Sequence, residues 1–312
     1  MGKIDAVMCT YMSDRNRMAD LFNGAYFQGN QMIRPEDIED YEGKYPSKKR
    51  RSGNVRYRDI VKKMKNGGSL RVLAIENQNC VDYIMLFRCM EYDTLEYRRQ
   101  IDNRVKKNKT VANWNNRAEF LCGVRKDDRF APVYTICLYH GKEKWDGPRS
   151  LRDLMDFGPD HDKMSHFFVD YPMKLFCVNE AENFDCFQTE LREFFTMLSC
   201  RNDVDKLEKL SQMEQYKNIS GETAETIAVV MGWPEPEKIS MKYGEKGKGV
   251  NMCEALEQLV ERGVKKGKEQ NMRDMILKMY EAGIDSVKIS QITGKTQEEV
   301  QKLVDQKNTP EE

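Results

Sequence analysis

Apolar residues recur at helical spacing through Met18, Leu21, Phe22, Ala25 and Tyr26, which predicts a helix over 13–27 with Ser13 or Asp14 as its N-cap and Gly29-Asn30 as its stop. A proline-led acidic segment, PEDIEDYE, follows, and then a basic run from Lys44 to Arg58. VRYRDIVKKM and LRVLAIENQ are separated by NGGS and read as two strands joined by a tight turn. Helical spacing returns over 80–100, with Val81, Ile84, Met85, Arg88 and Tyr92 along one side, and 101–129 reads as polar helix and loop. APVYTICLYHG (131–141) has the continuous β-branched and aromatic run of a buried strand. LFCVNE (175–180) is a further strand-type stretch, and 184–200 is helical through Phe187, Leu191, Phe194, Phe195 and Leu198.

The prolines, glycines and charges of PEPEKISMKYGEKGKGV predict a linker over 236–250. A helical tail over 251–312 follows, helix-turn-helix-like in its last part, with Gly283 and Gly294 as stops, Asp285 and Thr296 as N-caps, and Glu299 placed to complete a capping box with Thr296. The preceding 1–235 form the main domain. Entry of the tail into a DNA groove would require a basic recognition helix, but TQEEVQKLV carries glutamates. Contact with another protein, or self-association through an adaptable face bearing Met272, Met275 and Met279, is at least as good a reading.

Composition narrows the class without choosing the chemistry. The 312 residues are 39% hydrophobic and 10% aromatic, enough for a core and unlike a disordered chain. Lys plus Arg and Asp plus Glu number 51 each, so any nucleic-acid partner must be argued from local clusters. No apolar run approaches the ~20 residues of a membrane span. The opening MGKIDAVMCT lacks the apolar core of an export signal, and nine scattered cysteines without a CxxC pair read as reduced thiols. The expectation is a cytoplasmic protein away from membranes.

The candidate chemistry lies on the hairpin. With the turn centred between residues 67 and 68, paired numbers sum to 135, so Asp59 faces Glu76 and Tyr57 faces Gln78. Period two then places all four on one face. Opposed carboxylates repel and require a cation. Lys63 is one source and a divalent metal another, since Mg²⁺ takes one or two carboxylates with water and phosphate. An ordinary salt bridge on a solvated face is the competing reading.

The series RD…NGG…LRVLAIENQ resembles the E-x-Q variant of the PD-(D/E)XK nucleases, and more closely the recombination-promoting nuclease (Rpn) family, which is linked to transposases. RMADLFNGAYFQGNQMIRPEDI is similar to that family's opening segment. Arg88, Tyr92, Tyr97 and Gln100 resemble its helix after the core, and EFLCGVRKDDRFAPVYTICLYHGKEKWDGPRSLRDLM its following strand and turn. The resemblance spans most of 13–200, with Leu86-Phe87 standing where Met-Pro would be. It implies an α/β fold with a restriction-endonuclease-like core, a mixed central sheet flanked by helices. It further implies a Mg²⁺-dependent DNA endonuclease tied to recombination, mobile DNA or defence. Asp59 and Glu76 would hold the metal, with Gln78 in place of the usual lysine; Lys62 or Lys63 could supply the missing charge, and strand parity favours Lys63. A DNA-binding or assembly protein that has lost activity is the alternative.

Accessory candidates are Asp20 as an acid from an upstream helix, Tyr57, and Gln100 approaching from the following helix. Lys48, Lys49, Arg50, Arg51, Arg56 and Arg58 are candidates for DNA phosphates, because they lead into the site. His161 and His166 have no matching ligand pair and are read as non-catalytic.

Overall fold

The computed structural model describes residues 2–46, 55–66, 69–111, 113–244 and 249–308. Five strands form a mixed sheet in the order β1 (Ile38–Asp40), β4 (Ile60–Asn66), β5 (Ser69–Gln78), β6 (Val133–Tyr139), β7 (Leu175–Cys177). The first three run antiparallel and the last three parallel. A separate antiparallel ribbon pairs β2 (Lys44–Pro46) with β3 (Val55–Tyr57). β5 is central, and both of its faces are covered, so its sequence is continuously apolar from Val72 to Ile75.

Period-two alternation divides the core. Leu73, Ile75, Ile136 and Leu138 face one side. They pack there with α1 (Lys3–Met12), α2 (Arg15–Phe27), α6 (Leu191–Cys200), α7 (Val204–Leu210) and α8 (Gly221–Met231). Val72, Ala74, Cys137 and Tyr139 face the other side, where α3 (Met85–Val111) crosses and Met85, Leu86 and Cys89 meet Cys137 and Tyr139. The short α4 (Arg117–Cys122) and α5 (His161–Met164) lie in the connections flanking β6.

Asp14, one of the two expected caps, accepts from the amides of Asn16 and Arg17 to start α2. Helix α1 was not legible as a separate element. α3 extends well past residue 100, into the segment read as mixed helix and loop. α6 begins only at Leu191, because the preceding loop is tied down by Asp20. This 3%-exposed carboxylate accepts from the Gln188 amide and from the amide and hydroxyl of Thr189, the shortest at 2.6 Å.

The expected linker folds. α9 (Ile239–Tyr243) packs on α8, Ile239 and Tyr243 are buried, and Val250 bridges to Ile219 and Gly244. The first part of the tail is one long helix, α10 (Met252–Glu281). Met252, Cys253, Ala255 and Leu256 at its start belong to the main core, so the boundary at 251 does not separate two cores. Only its far end joins α11 (Ser286–Thr293) and α12 (Gln297–Asn308) around Ile276, Ile289 and Val300. The caps there are those expected: Asp285 accepts from Val287 and Lys288, and Thr296 and Glu299 exchange side-chain-to-amide bonds. Among the described residues, no helix is long and apolar enough to cross a membrane.

Removing the Asp20 carboxylate leaves part-buried donors of the 188–189 loop without an acceptor. Asp20→Ala should lower unfolding free energy by about 2–4 kcal/mol, read as a fall in the urea midpoint. A shift equivalent to under about 0.5 kcal/mol would show that these bonds contribute little.

Candidate functional site

Within the described strands the hairpin register is the expected one, with pairs from Asn66↔Ser69 to Ile60↔Ile75 all summing to 135. The ladder stops at Ile60. Asp59 sits in a bend just before β4, and its Oδ2 accepts the Asn77 amide at 2.9 Å. That bond ties Asp59 to the end of β5 beside Glu76, whose own burial is complete.

The cation beside Glu76 is Arg58. Its Nε donates to Glu76 Oε1 at 3.2 Å, and its Nη2 reaches Asp93 Oδ1 of α3 at 2.6 Å and Thr135 Oγ1 of β6 at 2.7 Å. Asp93 also accepts from the Thr135 hydroxyl at 2.7 Å and the Tyr171 hydroxyl at 2.5 Å. The guanidinium lies 5.5 Å from the Tyr92 ring centre. With Arg58 at 5% exposure, its proposed role as a solvent-facing phosphate contact is corrected: it is an interior residue of the site.

Burial pushes the Glu76 carboxyl up to about 8, against the downward pull of Arg58, with Asp59 adding to the rise. Burial also raises Asp59, against the Asn77 amide bond and the charge of Arg88. The Arg58–Glu76 bond needs only an acceptor at Oε1, so either protonation state satisfies it. Arg88, paired to Asp82 at 2.9 Å, is a second cation acting on both carboxylates.

The other expected residues disperse. Gln78 ends β5 opposite Tyr139 and by strand parity shares the face of Glu76. Tyr57 does not face Gln78: its backbone pairs with Lys44 in the separate ribbon, because the chain bends at Asp59. Lys63 stands opposite Val72, four residues along β5 from Glu76 (72 to 76), or roughly 13 Å at strand rise. Its ammonium sits 4.0 Å from the Tyr41 ring centre instead of on the carboxylates. Gln100 is clamped to Ala131, donating to its carbonyl at 3.2 Å and accepting its amide at 2.7 Å, so it fastens α3 to the start of β6. Asp20 serves the α6 loop. Lys48, Lys49, Arg50 and Arg51 lie outside the described residues, and Arg56 is placed by its backbone alone, opposite Tyr45.

Sequence reasoning missed Asp93, Thr135, Tyr171 and Asp5. The signal for Asp93 was an acid on the same helical stripe as Met85, Cys89 and Tyr92. Asp5 on α1, not Asp20, is the upstream acid whose charge reaches Asp59. Nothing in the local pattern marked Tyr171, which arrives from 78 residues away in sequence.

Among the described residues no three His, Cys, Asp or Glu side chains cluster to hold a metal. A Mg²⁺ site needs only one or two carboxylates, with water and phosphate completing the shell. Asp59 and Glu76 offer an all-oxygen donor set, and the buried Glu76 Oε2 has no hydrogen-bond partner among the described residues. The donors present fit a hard divalent cation. Comparison with protein-family models, curated proteins and solved structures finds no match to this chain.

Arg58→Leu would strip the cation from two buried carboxylates and should destabilise by about 3–5 kcal/mol. Adding Asp93→Asn and Glu76→Gln should recover part of that loss in urea unfolding. An Arg58→Leu variant as stable as wild type would refute the network.

Proposed function

We propose that the chain is a metal-dependent DNA endonuclease on a restriction-endonuclease-like core, hydrolysing phosphodiester bonds with Asp59 and Glu76 as metal ligands. The observation that carries this reading is the fully buried Glu76 Oε2, without a hydrogen-bond partner among the described residues, at the end of β5 where the Asn77 amide ties in Asp59. A buried carboxylate oxygen without a partner is costly, and a bound cation is a physical reason to retain it. Mg²⁺ there would lower the pKa of a bound water and offset charge building on the phosphodiester.

The chain's own residues do the positioning. Arg58 fixes the Glu76 carboxylate from Oε1 and leaves Oε2 for the metal. The Asn77 amide fixes Asp59. Gln78, at the same strand end, can orient water or a phosphate oxygen through its amide, though it cannot supply charge. Arg88 supplies a cation near both carboxylates. The family resemblance supports a role in recombination, mobile DNA or defence, the scattered unpaired cysteines support the cytoplasm, and the methionine-bearing face of the C-terminal helices supports self-association.

A second reading is favoured by one observation, the Arg58 guanidinium already paired to Glu76: the carboxylates could be purely structural, in a DNA-binding or assembly protein. Nicking of supercoiled plasmid separates the two. Wild type with Mg²⁺ should nick, EDTA should abolish nicking, and Asp59→Ala should lose at least about 100-fold, since outer-shell groups alone are worth about 10–100-fold. Equal nicking by Asp59→Ala, or none by folded wild type, would favour the second reading.

A further inference from the structure

The chain is charge-balanced, yet its cations are not evenly spread. Between Arg104 and Arg129 there are eight Lys or Arg residues and three Asp or Glu. Where the C-terminal half of α3 passes the start of β6, a groove of about 590 Å³ opens between Tyr41, Lys63, Arg104, Lys107, Arg129 and Phe130, and among the described residues no acidic side chain lines it.

The groove is a built feature. Asn108, 6% exposed, donates to the Gly123 carbonyl at 3.1 Å and to Asp128 at 2.8 Å, and Arg104 pairs with Asp128 at 2.6 Å. These bonds hold the 123–130 loop against α3. Arg129 is then steadied by donating to the carbonyls of Lys126 and Asp128. Asp128 meets part of the charge of Arg104. Lys63, Lys107 and Arg129 have no carboxylate partner among the described residues. Tyr41 and the partly exposed Phe130 flank these cations with flat apolar surface.

We propose that this groove binds the sugar-phosphate backbone of duplex DNA and is the track on which substrate lies. The choice of DNA rests on the nuclease reading, whereas the affinity for a polyphosphate rests on the groove alone. The placement suits the proposed chemistry. Lys63 stands opposite Val72, and the roughly 13 Å from Val72 to Glu76 along β5 equals about four steps of a DNA strand at 3.4 Å each. The groove would hold phosphates about four nucleotides from the reacting bond. This gives Lys63 a role in substrate binding, not in the carboxylate pair.

The test is binding of a fluorescent 20-base-pair DNA duplex in EDTA, followed by anisotropy across a salt series, so that catalysis plays no part. Each neutralised phosphate contributes about −0.9 to the slope of log K against log salt. Lys107→Gln with Arg129→Gln should weaken binding and flatten the slope by about 1.8, while Lys206→Gln with Lys209→Gln on α7 should change neither. An unchanged slope in the groove variant, or no binding by wild type, would overturn the groove assignment. Tighter binding of the equivalent RNA duplex would overturn the assignment to DNA. None of these results depends on plasmid nicking, so the groove and the nuclease reading can fail separately.

Discussion

Arg58 holds the sheet to its covering helix, and the geometry of the candidate site follows from it. Its guanidinium spans Glu76 on β5, Asp93 on α3 and Thr135 on β6, all out of solvent. Burying charge costs several kcal/mol per ion, so such a cluster persists only where geometry and hydrogen bonding are good. Asp93 meets that condition, with donors from Arg58, Thr135 and Tyr171. Glu76 meets it on one oxygen only. The rigid guanidinium fork reaches all three elements at once through Nε and Nη2.

The same cluster bears on metal chemistry. Burial raises the Glu76 carboxyl to about 8, so at neutral pH without metal it tends to keep its proton. Asp59 and Glu76 would hold a divalent cation as ionised carboxylates, so its affinity would rise with pH. In the proposed function, Arg58 therefore places a carboxylate that metal binding ionises. The basic groove where α3 passes the start of β6 would supply substrate affinity at a distance from this buried chemistry.

Much of the architecture was legible because it is local or periodic. The two-residue alternation and the Gly-Gly turn defined the β4–β5 register, the continuous apolar run marked β6, and the Asp14, Asp285 and Thr296 caps announced their helices. What escaped notice was set by tertiary contacts. Asp20 looked like a free helix acid until a loop from 168 residues away closed on it. Lys63 had the right parity but stands too far along the strand, since parity fixes a face and not a distance. Arg58 looked like part of a solvated basic run, and only the bend at Asp59 turns it inward. The charges and glycines of 236–250 suggested a linker, while Ile239, Tyr243 and Val250 among them were enough to bury it.

The most direct measurement is anomalous diffraction at the manganese edge from crystals of the wild-type protein grown with Mn²⁺, a redox-stable stand-in for Mg²⁺ with the same preference for oxygen ligands. The account predicts a single strong peak between Asp59 and Glu76 Oε2, with Arg58 still bonded to Oε1. A well-ordered site with the carboxylates in place and no peak between them at saturating Mn²⁺ would contradict it.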